Sequence, residues 1–311
     1  MGKHNQKKRK KKKWVIYLLS ILGLLLLSIG GYALYLYNSV GKTVDSMHTV
    51  IDREKSQKRT DVVAFSEKDP FSVLLMGVDK RKGDSGRADS LIVLTVNPNT
   101  KSIQMVSVPR DTRTEIIGKG KLDKINHSYA FGGVEMTMDT VENFLDIPID
   151  YFIQVNMESF KDIVNAVGGV TVNNNFTFDY EGYTFKEGQL KLNGSEALAY
   201  SRMRYDDPRG DFGRQERQRQ VIQEVIKQGA SLSTITKVDD ILGTLGNNVQ
   251  TNLTFDQMLE IQKNYKEATG QLEQSQISGS GTKIDGVYYF VVPEEERTAL
   301  STKLKQHLEI N

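Results

Sequence analysis

The sequence lacks several residues and motifs that mark common kinds of functional site. Its 311 residues include no cysteine, which excludes disulfide bonds, thiolate metal sites, a cysteine nucleophile and a lipoprotein attachment site. No GxSxG, P-loop or HExxH motif occurs. The four histidines are scattered, and His127 and His307 are more typical of structural or surface residues than of catalytic bases.

Acidic residues are absent from the first 44 positions, which contain a basic tail followed by a long apolar run. Residues 1–13 carry eight lysine and arginine side chains, and residues 14–37 are apolar apart from serine and glycine. A helix over this run would be about 36 Å long, more than the roughly 30 Å of a membrane's hydrocarbon core. Because aromatic residues lie at both ends and basic flanks stay in the cytoplasm, the sequence predicts one membrane-spanning helix with everything beyond it outside.

A cleaved signal peptide and a nucleic-acid-binding tail fit the N-terminus less well. A signal peptide has an apolar region of about 7–15 residues and a small-residue cleavage site, whereas this run is longer and no clean site follows it. A basic tail can also bind nucleic acid. However, the chain has 41 basic and 39 acidic residues, and eight of the basic residues lie in the tail. Residues 14–311 therefore have 33 basic and 39 acidic residues, a net charge of −6. An acidic domain argues against nucleic-acid binding, so any bound anion needs a local positive cluster.

The region beyond the membrane divides into a stalk and one domain. Residues 38–68 are polar, charged and poor in large apolar residues, which predicts an extracytoplasmic stalk. Residues 69–311 alternate strand and helix patterns, which favours an α/β fold, a three-layer α/β/α sandwich with a mixed central sheet. Strands are predicted at 71–78, 91–96, 103–108, 151–155 and 169–172, with a hairpin excursion at 176–192 and a strand pair at 274–278 and 287–292. Helices are predicted at 134–145, 159–167, 194–201, 211–228, 232–245, 254–268 and from residue 294.

Charged residues stand at the ends of three predicted strands. Asp79 follows the first strand and Asp89 closely precedes the second, so the two carboxylates can share a cation or position a hydroxyl. Arg110 follows the third strand after a proline, which places a guanidinium at the same rim. Taken alone, each of these residues is more typical of an ordinary turn or a solvated loop than of a functional site.

The strongest signal comes from the helix predicted to begin near Asp211. At about 100° per residue, its apolar stripe continues backwards onto Gln218 and Arg214. A buried arginine is costly unless an anion pairs with it. Snorkelling or internal salt bridges would also satisfy it. Because Arg202 and Arg204 precede this helix and the planar guanidinium suits phosphate, the cluster predicts a bound multivalent anion and chemistry that rests on positioning and charge neutralisation.

The same residues carry a resemblance to a known family. The segments are Gly77-Val-Asp79, Gly86-Arg87-Ala-Asp89-Ser90, Val108-Pro-Arg110-Asp111, Tyr200-Ser-Arg202-Met-Arg204 and Asp211-Phe-Gly-Arg214-Gln-Glu-Arg217-Gln218. In this order they resemble the LytR-CpsA-Psr family over roughly residues 69–247, without a departure at the motif positions. The resemblance implies an enzyme that takes an anionic glycopolymer, of the wall teichoic acid class, from an undecaprenyl pyrophosphate carrier. The polymer would be joined through a phosphodiester to the 6-hydroxyl of N-acetylmuramic acid in peptidoglycan.

The resemblance also implies a role for each motif residue. Asp79 and Asp89 would hold Mg²⁺, with Mn²⁺ as an open alternative, and the lipid would lie in an apolar tunnel between sheet and helices. Asp89 is also the candidate for orienting or deprotonating the acceptor, and Arg87 and Arg110 complete the predicted catalytic group. The residues that would grip the pyrophosphate oxygens are Arg87, Arg110, Arg202, Arg204, Arg214 and Gln218, with Arg217 close by.

Two other functions stay open on the sequence. A hydrolase would use the same site to split a lipid pyrophosphate with water as acceptor. A non-catalytic membrane-bound sensor of the cell envelope would bind the lipid-linked ligand without turnover, although the short cytoplasmic tail has no room for a DNA-binding fold. The expected location is the cell membrane, with the N-terminus in the cytoplasm and the domain outside, and a monomeric ectodomain is the default.

Overall fold

Three runs rich in valine, isoleucine and leucine form the centre of the fold, because such residues favour strands covered on both faces. The computed structural model describes residues 35, 37, 41, 42, 44–79, 86–231 and 248–310. The strands within them are β1 (Phe71–Asp79), β2 (Arg87–Asn97), β3 (Ser102–Val108), β4 (Arg113–Ile116), β5 (Lys121–Lys124), β6 (Tyr151–Val155), β7 (Val170–Asn174), β8 (Phe178–Tyr180), β9 (Tyr183–Phe185), β10 (Gly188–Leu192), β11 (Val249–Thr251), β12 (Gln271–Gln276), β13 (Ser280–Ile284) and β14 (Val287–Val291). The helices are α1 (His127–Leu145), α2 (Met157–Ala166), α3 (Gly194–Arg202), α4 (Asp211–Ser231), α5 (Phe255–Asn264) and α6 (Glu294–His307), with 3-10 helices at Phe65–Glu67 and Lys266–Gly270.

Six of these strands form one mixed sheet in the order β11-β6-β1-β2-β3-β12. Strands β1, β2 and β3 form an antiparallel meander, with the predicted turn between β2 and β3. Strand β6 lies parallel to β1, and β12 lies parallel to β3, while β11 runs antiparallel to β6. The predicted α/β class with a mixed central sheet is therefore confirmed.

Helices lie on both faces of this sheet. On one face, Met138 of α1 and Leu304 of α6 pack into a core with the buried residues of β1, β2 and β3. On the other face, Ile222 of α4 and Ile261 of α5 pack against Met105 of β3 and its neighbours. A third apolar cluster joins α2, α3 and strands β7 to β10 to the side of α4. Helix α4 is therefore enclosed on more than one side, which orients the polar residues of its first turns.

The segment predicted as an extracytoplasmic stalk, residues 38–68, is packed onto the domain in its described part. Val44 and Met47 are 0% and 2% exposed, and His48 forms a parallel bridge with Thr251. The prediction is wrong here because the charged side chains of the segment pair with the domain instead of with water. The ion pairs are Arg53–Asp139, Arg53–Glu142, Lys58–Asp146 and Arg59–Asp150. We call residues 44–68 the strap.

The predicted strand pairing is corrected at one place, and one hairpin was not predicted. Residues 274–278 and 287–292 were expected to pair with each other, but β12 joins the edge of the main sheet beside β3, and β14 pairs with β13 in a separate hairpin. A β4–β5 hairpin, which the sequence patterns did not predict, follows β3. An alternating pattern identifies a strand but carries little information about its partner, which accounts for these differences.

The N-terminal predictions fall largely outside the described residues. All of the predicted tail, 1–13, lies there, and so does the predicted membrane helix, 14–37, except for residues 35 and 37. The helix predicted at 232–245 also lies outside them. Within the part of the chain that the structure describes, every helix is too short or too polar to cross a membrane.

The strap makes a testable contribution to stability through Arg59. Its Nε and Nη2 lie 2.5 Å and 2.7 Å from the two carboxylate oxygens of Asp150, and the two side chains are 10% and 4% exposed. We expect Arg59→Ala to lower the free energy of unfolding by about 3 kcal/mol, because it leaves a buried carboxylate without its cation. Lys58→Ala, which removes a more exposed pair with Asp146, should cost less than about 1 kcal/mol. Urea unfolding of the full chain measures both changes in the free energy of unfolding. Equal changes for the two variants would contradict a stabilising role of the buried Arg59–Asp150 pair.

A pH dependence of stability follows from the position of His307. Its Nδ1 lies 2.8 Å from Thr95 Oγ1 and its Nε2 lies 2.9 Å from Ser102 Oγ, inside the protein. Burial lowers the pKa of His307 below its ordinary value of 6.5. The unfolded chain therefore takes up this proton first, and the stability falls as the pH drops below about 6.5. His307→Gln should be less stable at neutral pH but should show a flatter decline down to about pH 5 in urea titrations; parallel declines would contradict this.

Candidate functional site

A β-bulge re-aims the side chain of Asp89 at one end of the sheet. Gly77 of β1 faces Ser90 of β2, but the next residue, Val78, faces Ala88. Asp89 is therefore an extra residue on β2 with no partner on β1. Such bulges bend a strand and redirect a side chain, and they are frequent next to functional sites.

Arg110 meets Asp89 at this end of the sheet. It follows β3, and its Nη1 donates a hydrogen bond to Asp89 Oδ1 at 2.7 Å. Asp79 and Arg87 lie opposite each other in the last pair of the β1–β2 register, and Arg87 is exposed. The residues predicted from three separate strand ends therefore share one edge of the sheet.

Asp211 connects this edge to the start of helix α4. It is the first residue of the helix, and its Oδ1 lies 2.6 Å from Arg214 Nη2 and 3.6 Å from Arg204 Nε. Burial by itself lowers the pKa of Arg110, but the neighbouring carboxylates, Asp89 first and Asp211 among them, raise it overall. Arg110, Arg204 and Arg214 thus lie in one cluster with Asp89 and Asp211, and Asp111 is a further carboxylate beside Arg110.

Arg214 is the most strongly confined cation of this cluster. Its side chain is 12% exposed, and its Nε is buried without a hydrogen-bond partner among the described residues. Burial lowers the pKa of Arg214, and the nearby Arg110 and Arg204 lower it further, against the opposite effect of Asp211. An anion with several oxygen atoms would satisfy this donor and relieve the repulsion between the arginines.

Gln218 and Arg202 make contacts outside this group of charges. Gln218, one turn after Arg214 on α4, accepts a hydrogen bond from Ser90 Oγ at 3.0 Å and so ties the helix to the bulged strand. Arg202, at the end of α3, lies 2.8 Å from Glu181 in the β8–β9 turn, and both side chains are partly exposed. Arg202, predicted to bind the pyrophosphate, thus has a carboxylate partner of its own in this structure.

Arg217 is enclosed by protein and faces away from the cluster. Its side chain is 4% exposed, its Nη1 lies 2.6 Å from Asp207 Oδ2, and its Nη2 donates to the carbonyl of Met203 at 2.5 Å. Arg217, which was predicted to lie close to the pyrophosphate, makes all of these contacts with protein groups and has a structural role here. Arg217 holds residues 203–210, which include Arg204, against helix α4.

Sequence reasoning assigned no role to three carboxylates that contact these arginines, Asp111, Asp207 and Asp211. Asp211 could have been found from its spacing of three residues to Arg214 on a helix. Asp207 offers no such signal, because its partner Arg217 lies ten positions away and the contact exists only after the chain has turned. Asp111, which lies 3.7 Å from Arg110 and 2.7 Å from Lys124, was visible in its motif but had no predicted partner.

The predicted Mg²⁺ is compatible with the donors at the sheet end. Within the described residues, no three histidine, cysteine, aspartate or glutamate side chains form a group that could hold a metal by themselves. Mg²⁺, however, is often held by one or two carboxylates and completes its shell with water and the phosphate oxygens of a substrate. Asp79 and Asp89 offer oxygen donors of this kind, and the Asp89 side chain is 36% exposed.

Comparison with known proteins confirms the resemblance drawn from the motifs. The model of the LytR_cpsA_psr family matches residues 34–306. The chain belongs to the LytR_cpsA_psr family. It is 57% identical over 305 residues to the polyisoprenyl-teichoic acid–peptidoglycan teichoic acid transferase TagU of Bacillus subtilis (strain 168), a match that covers 98% of this chain and 99% of that protein.

Solved structures of LytR_cpsA_psr proteins have the same fold. The crystal structure of B. subtilis TagU is 56% identical, with a TM-score of 0.64, and covers 78% of this chain and 99% of its own. A structure of TagT bound to LIIa-WTA is 31% identical, with a TM-score of 0.73, and covers 84% of this chain and 99% of its own.

The packing of Arg217 predicts the effect of a mutation at Gly213. A Cβ atom at Gly213 would lie 1.8 Å from Asp207 Oδ2, so Gly213→Ala must push this carboxylate away from Arg217. We expect a loss of about 3 kcal/mol in the free energy of unfolding, because a buried ion pair is broken. Gly229→Ala, in the same helix with nothing within 4 Å of its Cβ, should be neutral or stabilising by up to about 1 kcal/mol. Thermal unfolding compares the two, and equal melting temperatures would disprove the role of Arg217.

Proposed function

We propose that this protein is a glycopolymer transferase that moves a teichoic acid from a polyisoprenyl pyrophosphate carrier to peptidoglycan. Relatives more than half identical over nearly the whole chain are named for this activity. In the finer version of the proposal, the carrier is undecaprenyl pyrophosphate and the acceptor is the 6-hydroxyl of N-acetylmuramic acid. The product is a phosphodiester, and undecaprenyl phosphate leaves.

The proposal rests on the surroundings of Arg214. A buried guanidinium whose Nε has no partner among the described residues, with two further arginines beside it, is unfavourable in the protein alone. A pyrophosphate supplies several negatively charged oxygens in a small volume, and arginine binds such oxygens through its planar fork. The ligand that suits the cluster is therefore a compact polyanion, which agrees with a lipid pyrophosphate donor.

The reaction needs only the formation of one P–O bond and the cleavage of another. The acceptor hydroxyl attacks the phosphorus that carries the sugar, and the bond from this phosphorus to the oxygen bridging the two phosphates breaks. Arg110, Arg204 and Arg214 stabilise the charge that develops on the phosphate oxygens and on the leaving group. Mg²⁺, if held by Asp79 and Asp89, would supply further charge neutralisation at the pyrophosphate.

Asp89 is the residue that we assign to the acceptor proton. The bulge directs its carboxylate towards Arg110, which contacts one oxygen, Oδ1. Its partial exposure leaves it within reach of a hydroxyl that approaches from solvent. The acceptor proton would pass to this carboxylate as the new bond forms.

The location of the reaction follows from the N-terminal sequence. We propose that residues 14–37 anchor the chain in the cell membrane and that the basic residues 1–13 stay in the cytoplasm. The domain then lies outside, where its lipid carrier and peptidoglycan are both accessible.

Arg214→Ala provides the sharpest test of the site. We expect it to reduce transfer roughly a hundredfold or more, since a preorganised donor to the reacting phosphate is lost. Arg214→Lys keeps the charge but not the planar fork and should recover only part of the activity. Arg297→Ala, on the far helix α6 with Glu294 as its partner, serves as the control and should transfer normally. Normal transfer by Arg214→Ala would refute the assignment.

The products distinguish this function from the other two that the site would serve. The full chain in detergent is incubated with a synthetic lipid-pyrophosphate-linked teichoic acid precursor, Mg²⁺ and uncrosslinked peptidoglycan oligomers, and the products are read by mass spectrometry. Glycan joined to peptidoglycan through a phosphodiester supports the transferase. Release of lipid phosphate without attachment would make the protein a hydrolase, and tight binding without turnover would make it a sensor.

A further inference from the structure

A continuous chain of contacts leads from the arginine cluster to the unpredicted β4–β5 hairpin. The carboxylate of Asp111 lies 3.7 Å from Arg110 through one oxygen and accepts a hydrogen bond from Lys124 Nζ at 2.7 Å through the other. The backbone of Asp111 also accepts a hydrogen bond from the amide of Phe290 in β14 at 2.9 Å. The β13–β14 hairpin is therefore fixed directly beside the site.

A second contact fixes the same hairpin to helix α4. The ring of Phe212, the second residue of this helix, packs edge-on against Phe290 at a centroid distance of 5.7 Å. Tyr289, the neighbour of Phe290, points to the opposite side of strand β14 because side chains alternate along a strand. The position of Tyr289 is thus fixed by contacts of its neighbour with two segments: the residues after β3, which include Arg110, and helix α4, which includes Arg214.

The ring of Tyr289 contacts two cations, one from each strand of the β4–β5 hairpin. The guanidinium carbon of Arg113 lies 5.8 Å from the centre of its ring, and Lys124 Nζ lies 6.0 Å from it. Arg113 and Lys124 are directly opposite each other in the hairpin register. We call Arg113, Lys124 and Tyr289 the cation–aromatic rim.

The charges of the rim are incompletely compensated within the protein. Like charges directly opposite on paired strands repel each other. Lys124 has the carboxylate of Asp111 as its partner, but Arg113 forms no ion pair with any described residue. Glu115 lies two positions after Arg113 on the same face of β4, and the two side chains do not form an ion pair. A partner of Arg113 from outside the protein would therefore be an anion.

We propose that the cation–aromatic rim is a subsite for the anionic polymer of the donor, where Arg113 and Lys124 bind a phosphate group of its chain. Tyr289 holds the two cations in place through cation–π contacts. The proposal rests on the proposed function, because a polymer attached to the pyrophosphate must leave the arginine cluster along an adjacent surface. Charge complementarity selects the phosphate-bearing polymer over the peptidoglycan glycan strand, whose sugars alone would not compensate Arg113.

The test separates polymer binding from catalysis. The affinity of a lipid-free poly(glycerol phosphate) oligomer is measured by calorimetry for the full chain in detergent, with an uncharged N-acetylglucosamine oligomer as the second probe. The variants are Arg113→Gln and Tyr289→Leu, with Tyr289→Phe to keep the ring. Lys283→Gln is the matched control, because Lys283 lies in the same hairpin opposite Tyr288 and therefore on the other face. Melting temperatures establish that each variant is folded.

We expect Arg113→Gln and Tyr289→Leu to weaken binding of the phosphate oligomer by about five- to tenfold, as the loss of one cation–phosphate contact implies. Tyr289→Phe and Lys283→Gln should bind as the unmodified protein does. In transfer assays, the two disruptive variants should raise the KM for a donor with phosphate repeats at unchanged kcat, and leave a donor without repeats unaffected.

Two results would overturn the proposal. The first is that Arg113→Gln and Tyr289→Leu bind the phosphate oligomer as tightly as Lys283→Gln does. The other is a loss of affinity confined to the uncharged oligomer, which would assign the surface to the acceptor glycan. If the unmodified protein transfers nothing but its variants still lose phosphate-oligomer binding, the rim is supported and the transferase function is the part that fails.

Discussion

The buried ion pair between Arg217 and Asp207 is the contact on which the arrangement of the arginine cluster depends. Both side chains are almost fully enclosed, so loss of either would leave a charge without compensation inside the protein. The pair fixes residues 203–210 across the first turns of α4, and Gly213 leaves the space that the carboxylate needs. Arg204 is held beside Arg214 as a result. Arg217, which the motif suggests as a ligand-binding residue, thus positions the arginines that we propose to bind the ligand.

The cluster itself is an unfavourable arrangement that a ligand can relieve. Burial and the neighbouring Arg110 and Arg204 lower the pKa of Arg214, and the carboxylates of Asp211 and Asp89 offset only part of this effect. Sites that are organised in advance for charge commonly accept such a cost in stability. The same pattern continues at a lower charge density to Lys124 and the β4–β5 hairpin, through Asp111. One end of the sheet therefore joins the arginine cluster to the cations of the β4–β5 hairpin through Asp111.

Much of the central architecture could be predicted from local patterns. The apolar runs of β1, β2 and β3 and the turn after β2 were recognisable because a strand buried on both faces needs such residues throughout. The strap was not recognisable, because its polar side chains suit solvent as well as they suit the carboxylates that bind them in the fold. The partners of β12 and β14 were unpredictable for a related reason, since any edge strand offers the same hydrogen bonds to either of them.

The sequence by itself determined the class of the fold, the family and the chemical character of the site, because apolar periodicity and the order of arginines and aspartates are properties of the chain alone. Helix periodicity placed Arg214 and Gln218 on the inner face of α4, and the structure has them there. Only the tertiary structure decided which arginines remain for a ligand. Arg217 and Arg214 are three residues apart in one helix and each has a carboxylate partner. Arg217 also donates to the carbonyls of Tyr200 and Met203, whereas the buried Nε of Arg214 has no partner among the described residues. That difference arises from contacts between segments distant in sequence, which no local pattern encodes.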